Sequence, residues 1–233
     1  MIRMTRAKLR FGIAPLLLSM AAPAPALGQD HDRVYVGIVA GIATLSADAQ
    51  SVTDPPRASV SLYSPENGPT LNAFAGVDLG RFISVQANYV WNRNDVTLLS
   101  SFTSPLAGGF VEQRRGTTQH AVVGDALLYF RAAGSGVRPY LSAGGGVVRF
   151  HGESPSRTAA SGGLSAADGE FTSSRLALRV AVGIDLAMGR AWSFRYSFSE
   201  TMTGNPLSER LTPPGTRGLA NFQNLFGIVR RLS

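Results

Sequence analysis

The groups in this 233-residue sequence that could do chemistry are three histidines, 15 acids and a set of arginines, with no cysteine at all. Without cysteine there is no disulfide framework, no thiolate metal site and no thiol nucleophile. The histidines, His31, His120 and His151, stand far apart in the chain, and none has a serine two residues on. A catalytic base must reach its nucleophile within hydrogen-bond distance, and no compact set of histidine, serine and acid is visible. The glycine runs at Gly108-Gly109 and Gly144-Gly145-Gly146 lack the lysine and helix of a phosphate loop. Asp48, Asp54 and Glu66, or Asp168 and Glu170, could touch a divalent ion, but their spacing fits no calcium loop and reads as solvated polar loop. No catalytic, cofactor-binding or metal-binding residue is expected, and no cofactor.

The charged residues that do form a pattern sit at every second position. In 173–186, Leu176, Leu178, Val180, Val182, Ile184 and Leu186 alternate with Arg175, Ala177, Arg179, Ala181, Gly183 and Asp185. In 82–93, Ile83, Val85, Ala87, Tyr89 and Trp91 alternate with Ser84, Gln86, Asn88, Val90 and Asn92. In 192–200, Trp192, Phe194, Tyr196 and Phe198 alternate with Ser193, Arg195, Ser197 and Ser199. Period two is the signature of strands with one apolar and one polar face. Residues 71–79 alternate as well, with Asp78 on the polar side. Segments 34–44, 118–131, 138–150 and 218–232 are apolar or glycine-rich with poorer alternation. The spacing predicts eight strands.

The first 28 residues read differently. Arg3, Arg6, Lys8 and Arg10 precede a short apolar run from Phe11 to Ala22, and Ala26 and Gly28 stand at −3 and −1 of a cut before Gln29. A basic start, a short apolar stretch and a small-residue cleavage site describe a secretory signal peptide at 1–28, leaving 29–233 as one domain. The leader takes four of the 22 basic residues, so the formal charge of +7 falls to +3. The remaining arginines are scattered singly, which excludes a nucleic-acid partner.

The connections alternate in length. Residues 46–69, 97–116, 151–172 and 205–217 are long, whereas Gly80-Arg81, 132–137 and 187–191 are short. Only 16% of residues are charged, against about 25% in ordinary soluble domains, and no run of about 18 apolar residues could form a spanning helix. Tilted strands of roughly 9–11 residues cross the hydrocarbon, and in lipid they can do so only as a closed barrel. The expected fold is all-β: an eight-stranded antiparallel transmembrane β-barrel, an up-and-down meander with four long extracellular loops and three short periplasmic turns. Aromatics near strand ends, Trp91, Tyr129, Trp192 and Phe226 together with Tyr35, Phe82 and Phe150, suit interfacial girdles.

The segments RPYLSAGGGVVRF at 138–150, GIDLAMGRAWSFRYSFSE at 183–200 and NLFGIVRRLS at 224–233 resemble parts of the small eight-stranded outer-membrane barrels. In that family (OmpA-like transmembrane domains and opacity-type porin-like proteins) they correspond to the fifth strand, the sixth-to-seventh hairpin and the closing strand. The resemblance, over about 33–233, implies a location in the cell outer membrane. It also implies outer-membrane lipid, lipopolysaccharide and the outer-membrane assembly machinery as partners, and a host or cell-surface ligand for the loops. Two departures stand out: Arg230, Arg231, Leu232 and Ser233 close the chain where the family favours an aromatic, and no cell-wall-binding domain accompanies the barrel. Some barrels of this size modify lipid A with histidine, serine and a carboxylate. Here His120 and His151 fall near the extracellular rim without that arrangement.

An eight-stranded barrel has an interior just wide enough for side chains to fill. With the apolar residues toward lipid, the inward set is Asp78, Gln86, Asn88, Asp125, Arg175, Arg179, Asp185 and Arg195, extended to Glu200. Acids and arginines together allow a neutralised network, expected to plug the lumen and leave a structural or surface-interaction role. The competing architecture, a periplasmic lipocalin-like barrel holding an apolar ligand, would invert every strand, with Leu178 and Phe194 inside and Arg179 and Arg195 in water.

Overall fold

The structure, a computed structural model, describes residues 33–46, 50–54, 57–64, 66–103, 108–162, 169–206 and 218–232. The expected leader at 1–28, His31, Asp48 and Asp168 lie outside these residues. The described chain is strands and their connections: β1 (Val34–Ser46), β2 (Gln50–Asp54), β3 (Arg57–Ser64), β4 (Asn67–Asp78), β5 (Ile83–Thr103), β6 (Gly108–Tyr129), β7 (Val137–Gly152), β8 (Arg157–Ala160), β9 (Phe171–Ala187), β10 (Trp192–Gly204) and β11 (Gly218–Leu232).

Eight of these close a ring. In order around it run β5, β4, β1, β11, β10, β9, β7 and β6, and β6 pairs back onto β5. Every ladder is antiparallel, so apart from β2, β3 and β8 the chain goes up and down between neighbours. Closure leaves no unpaired strand edge in the ring, the condition for placing a sheet in hydrocarbon.

The three tight connections share one rim. Leu79 N–H donates to the Ile83 carbonyl at 2.9 Å, Phe130 N–H to Pro139 at 3.0 Å and Met188 N–H to Trp192 at 2.9 Å. In the second turn Gly134 has φ +90°, a conformation glycine adopts without steric cost. At the opposite rim the strands are unequal. The register of β5 and β6 continues to Thr103 opposite Gly108, so much of the stretch expected as the second long loop is paired backbone. β3 joins the upper part of β5 and β8 the upper part of β6. The sheet thereby rises on one side of the ring.

The alternation seen in the sequence places the apolar face outside. Leu176, Leu178 and Val122 are 81%, 64% and 63% exposed, while Arg179 and Arg195 are 3% and 2% exposed. This is the reverse of the lipocalin-like arrangement. The interior has layers. Near the turn rim are charged groups and the rings of Tyr35, Phe74, Tyr129 and Tyr140. Farther up lie uncharged amides and hydroxyls, and beside them an apolar cluster that includes Leu45, Val90, Leu98, Val123, Val148, Phe150 and Phe171.

Candidate functional site: the barrel interior and the outer wall

Asp185 on β9 and Arg195 on β10 are direct cross-strand partners on the inner face. Cross-strand side chains on one face stand close enough to touch, and the guanidinium grips the carboxylate with both edges: Nε to Oδ1 at 2.6 Å and Nη2 to Oδ2 at 2.7 Å. Its other donors cross the lumen, Nη1 to Gln86 Oε1 at 2.8 Å and Nη2 to the Tyr129 hydroxyl at 2.9 Å. Tyr129 in turn donates to Asp185 Oδ2 at 3.1 Å. The Arg195 guanidinium also lies 4.8 Å from the Phe74 ring and 4.9 Å from Tyr140. Arginine suits this position because its fork satisfies a carboxylate bidentately while its faces meet aromatic rings.

Two further acid–arginine units complete the charged layer. Arg179 pairs with Asp125, which also accepts from Asn88 Nδ2 at 3.1 Å. Asp78 accepts from Ser84 and, at 2.7 Å, from Arg231 Nη1. It stands 3.8 Å from Arg138 Nη1, whose guanidinium lies 3.7 Å over the Tyr129 ring. Gln86 donates to Asn88 at 2.6 Å and Asn72 donates to Asn88 at 3.2 Å, joining the units. Three carboxylates thus meet four guanidinium groups, so each of these three has a cation beside it, the arrangement that makes charge burial tolerable.

Above this layer, Asn221 donates to Gln119 across the lumen at 3.1 Å, and Ser199 to Gln223 at 3.1 Å. The cavity between Val39, Phe74, Tyr140, Asp125, Arg179 and Arg195 measures about 10 Å³, roughly the room of one water.

Of the residues expected inside, Asp78, Gln86, Asn88, Asp125, Arg179, Asp185 and Arg195 are buried in the lumen. Arg175 keeps the inward register of β9 but is exposed, although its cross-strand partner Val148 and Phe171 beyond it are buried. Glu200 is a correction. It shares the outer face of β10 with Phe198 and Met202, between Val180 and Phe222, since alternation along the strand fixes its direction whatever its charge.

Among the expected girdle aromatics, Trp91, Trp192 and Phe226 are on the outer wall, Phe82 is exposed in the turn before β5, and Arg230 lies 5.4 Å over Trp192. Tyr129, Tyr35 and Phe150 point inward and are buried. The hydroxyls of the two tyrosines meet lumen polar groups, and the Phe150 ring joins the apolar cluster. Reading the sequence also missed Arg138, Tyr140 and Asn72. Arg138 and Tyr140 share the polar parity of β7 with Ser142, the one signal that could have found them.

His120 and His151 are both on the outer wall. The His120 ring nitrogen meets the Tyr89 hydroxyl at 2.7 Å and that of His151 meets the Thr172 hydroxyl at 3.4 Å. The described residues hold no group of three or more histidines and acids able to bind a metal.

A closed antiparallel ring with an apolar wall and a charged lumen defines a membrane-spanning β-barrel. Residues 13–218 match the family model for the outer membrane protein beta-barrel domain, and the chain belongs to that family; its place is the cell outer membrane. Among solved structures it is similar to Neisserial surface protein A, with a TM-score of 0.54 and 14% identity over 85% of this chain and 97% of that one. It is also similar to OprG from Pseudomonas aeruginosa (TM-score 0.48, 10% identity, 86% and 96% covered) and to Ail of Yersinia pestis (TM-score 0.44, 11% identity, 86% and 99% covered). At these identities the likeness concerns the fold. No curated protein matches the chain in sequence.

Proposed function

We propose that the protein is a closed outer-membrane barrel whose work is done on its surfaces rather than through its lumen. Its role is structural or one of surface contact, and it is not a diffusion pore or an enzyme. The observation that supports this reading is the set of three acid–arginine units bridged across the lumen beside an apolar cluster, with a cavity of about 10 Å³ beside Asp125, Arg179 and Arg195. The residues at 1–28 act as the export signal, and the rim bearing β2, β3 and β8 faces the cell exterior, following the rule of short periplasmic turns and longer outer loops. Loops on a rigid scaffold are natural contact sites, so a cell-surface or host ligand would meet this rim, and the assembly machinery would meet the closing strand β11.

Planar-bilayer recording tests the reading. The full-length protein, inserted from detergent, is expected to give no large steady conductance. A stable open channel of porin size would overturn it. A lipid A-modifying role would instead rest on His120 and His151, whose observed hydrogen-bond partners are Tyr89 and Thr172. Mass spectrometry of lipid A from cells with and without the gene is expected to show identical species.

A further inference from the structure

The outer wall is uneven on the two sides of β9. A groove of about 530 Å³ runs there between β7 and β10, lined among others by Leu141, Ala143, Val180, Val182, Phe198 and Glu200. Val182 is opposite Leu141 on one side and Phe198 on the other, and Val180 is opposite Ala143 and Glu200. The two flanks differ in bulk at one height. Phe198 stands six residues above the first residue of β10, and Ala143 six above the first of β7. Gly145 follows Ala143 on the outer face of β7, and a β-carbon there would meet its nearest atom only at 3.5 Å. The β10 flank carries a ring and the β7 flank a hollow.

The flanks also differ in charge. Glu200 sits in apolar wall: Phe198 and Met202 precede and follow it on the outer face of β10, and Val180 and Phe222 lie across from it. Leu178 and Leu176 continue the exposed apolar face of β9 beyond Val180 toward the loop rim. Ionisable groups facing hydrocarbon are costly and find partners away from lipid. Arg149 is exposed on the outer face of β7, twelve residues above the first of that strand, where Glu200 is eight above the first of β10. Neither side chain makes a hydrogen bond or ion pair with a described residue. Four residues are about 13 Å along a strand and, at a tilt of roughly 40°, about 10 Å in height. An arginine stem lying along apolar surface and a glutamate together cover that height.

We infer that this face binds a second copy of the chain about a two-fold axis that runs through β9 along the membrane normal. In such an isologous contact the same patch is used by both copies, and β10 of one is set against β7 of the other. Phe198 then enters the hollow at the partner's Ala143, Val180 and Val182 meet their equivalents near the axis, and Glu200 comes to the side of the partner's Arg149. Each of these contacts is made twice. An acyl chain would fill the groove but leave the carboxyl without a cation. The face already holds both halves of a match, ring and hollow, acid and base, so its own copy is the partner it fits. Association takes place within the lipid and falls with dilution there. A bulky label at position 180 would hold the copies apart and leave that site to acyl chains.

Cysteine cross-linking of the full-length protein in lipid vesicles tests the inference, since the chain has no native cysteine. Val182→Cys, near the axis, is expected to give a dimer with a short bismaleimide in several-fold higher yield than Ile38→Cys, which is exposed on the outer wall of β1. Added to the Val182→Cys protein, E200Q and R149Q should each weaken association about tenfold, the value of one charge-assisted contact. Together they should weaken it no more than either does alone. Ala143→Leu should also weaken it by filling the hollow.

Equal yields at positions 182 and 38, or monomer at every protein-to-lipid ratio, would give the face to lipid and overturn the inference. Fully additive losses from E200Q and R149Q would overturn the pairing across the axis, and an unchanged yield with A143L the seating of Phe198. Heat-modifiable migration on gels confirms that each variant is folded. If A143L is not, Phe198→Ala, which removes the ring from the other flank, takes its place.

Discussion

The ring of Tyr140 covers Gly183, its direct partner across β7 and β9, so closely that a β-carbon at Gly183 would overlap the phenol. The same relationship joins Tyr35 to Gly76, Phe74 to Gly37 and Phe171 to Gly152. Four inward rings are accommodated because the paired residue has no side chain, which is how so narrow a barrel holds aromatic groups beside arginines.

Gly183→Ala is therefore expected to destabilise the barrel by about 1–3 kcal/mol, the usual cost of overpacking a filled interior. Gly124→Ala, which faces outward into open space, should be near neutral. Urea unfolding in lipid vesicles, followed by tryptophan fluorescence, compares them. Equal effects would show that the Tyr140–Gly183 packing is not tight.

Asp185→Asn leaves Arg195 without its buried counter-charge and should cost about 3–5 kcal/mol. Replacing both residues, as D185L/R195M, should cost clearly less than the sum of the two single changes. A double-mutant cycle in the same unfolding assay measures the coupling, and strict additivity would show that the pair does not act as a unit.

With no native cysteine, single cysteines can be labelled cleanly. A fluorophore at Val180→Cys, on the outer wall, is expected to be quenched by brominated acyl chains. One at Ala181→Cys, on the inner face, should be protected. Equal quenching at the two neighbours would contradict the assignment of faces.

Arg115, fully buried, donates to the carbonyls of Gly169 at 3.0 Å and Glu153 at 3.4 Å and to Gln113 Oε1 at 3.1 Å. It thereby ties the backbone on both sides of β8 to β6. Arg115→Ala should make proteinase K cut near Glu153 and Gly169 several-fold faster while heat-modifiable migration is unchanged. Cleavage at the wild-type rate would mean that other contacts hold this rim.

Four of the ring strands were legible because their apolar wall repeats every second residue, the other four as apolar or glycine-rich stretches between them, and the three tight turns because they are short and contain glycine. The faces of single aromatics were not. Tyr129 at the end of an apolar run looks the same whether it meets lipid headgroups or Asp185. Glu200 shows the opposite failing. Its parity with Trp192, Phe194, Tyr196 and Phe198 was in plain sight, but the expectation that a carboxylate prefers the lumen overrode it. The continuation of β5 and β6 escaped notice because Val96 and Leu98, buried within it, lie among polar residues that read as loop. The charged layer was legible as a set of residues but not as pairs, since Arg195–Gln86 and Asn221–Gln119 join positions 109 and 102 residues apart.

The eleven-stranded sheet ends at β2 and β8, and both ends lie on the rim where the outer wall has turned from apolar to charged. Below that line the chain has no freedom of length, because adding or removing one residue in a ring strand would swap its lipid and lumen faces. Above it, lengthening a hairpin costs only loop closure, roughly 0.6 kcal/mol for each doubling. Whole segments could be grafted between β2 and β3, or on either side of β8, while the spanning ring kept every pair it has. The molecule is divided in height into a part whose length is fixed by register and a part whose length is open to change.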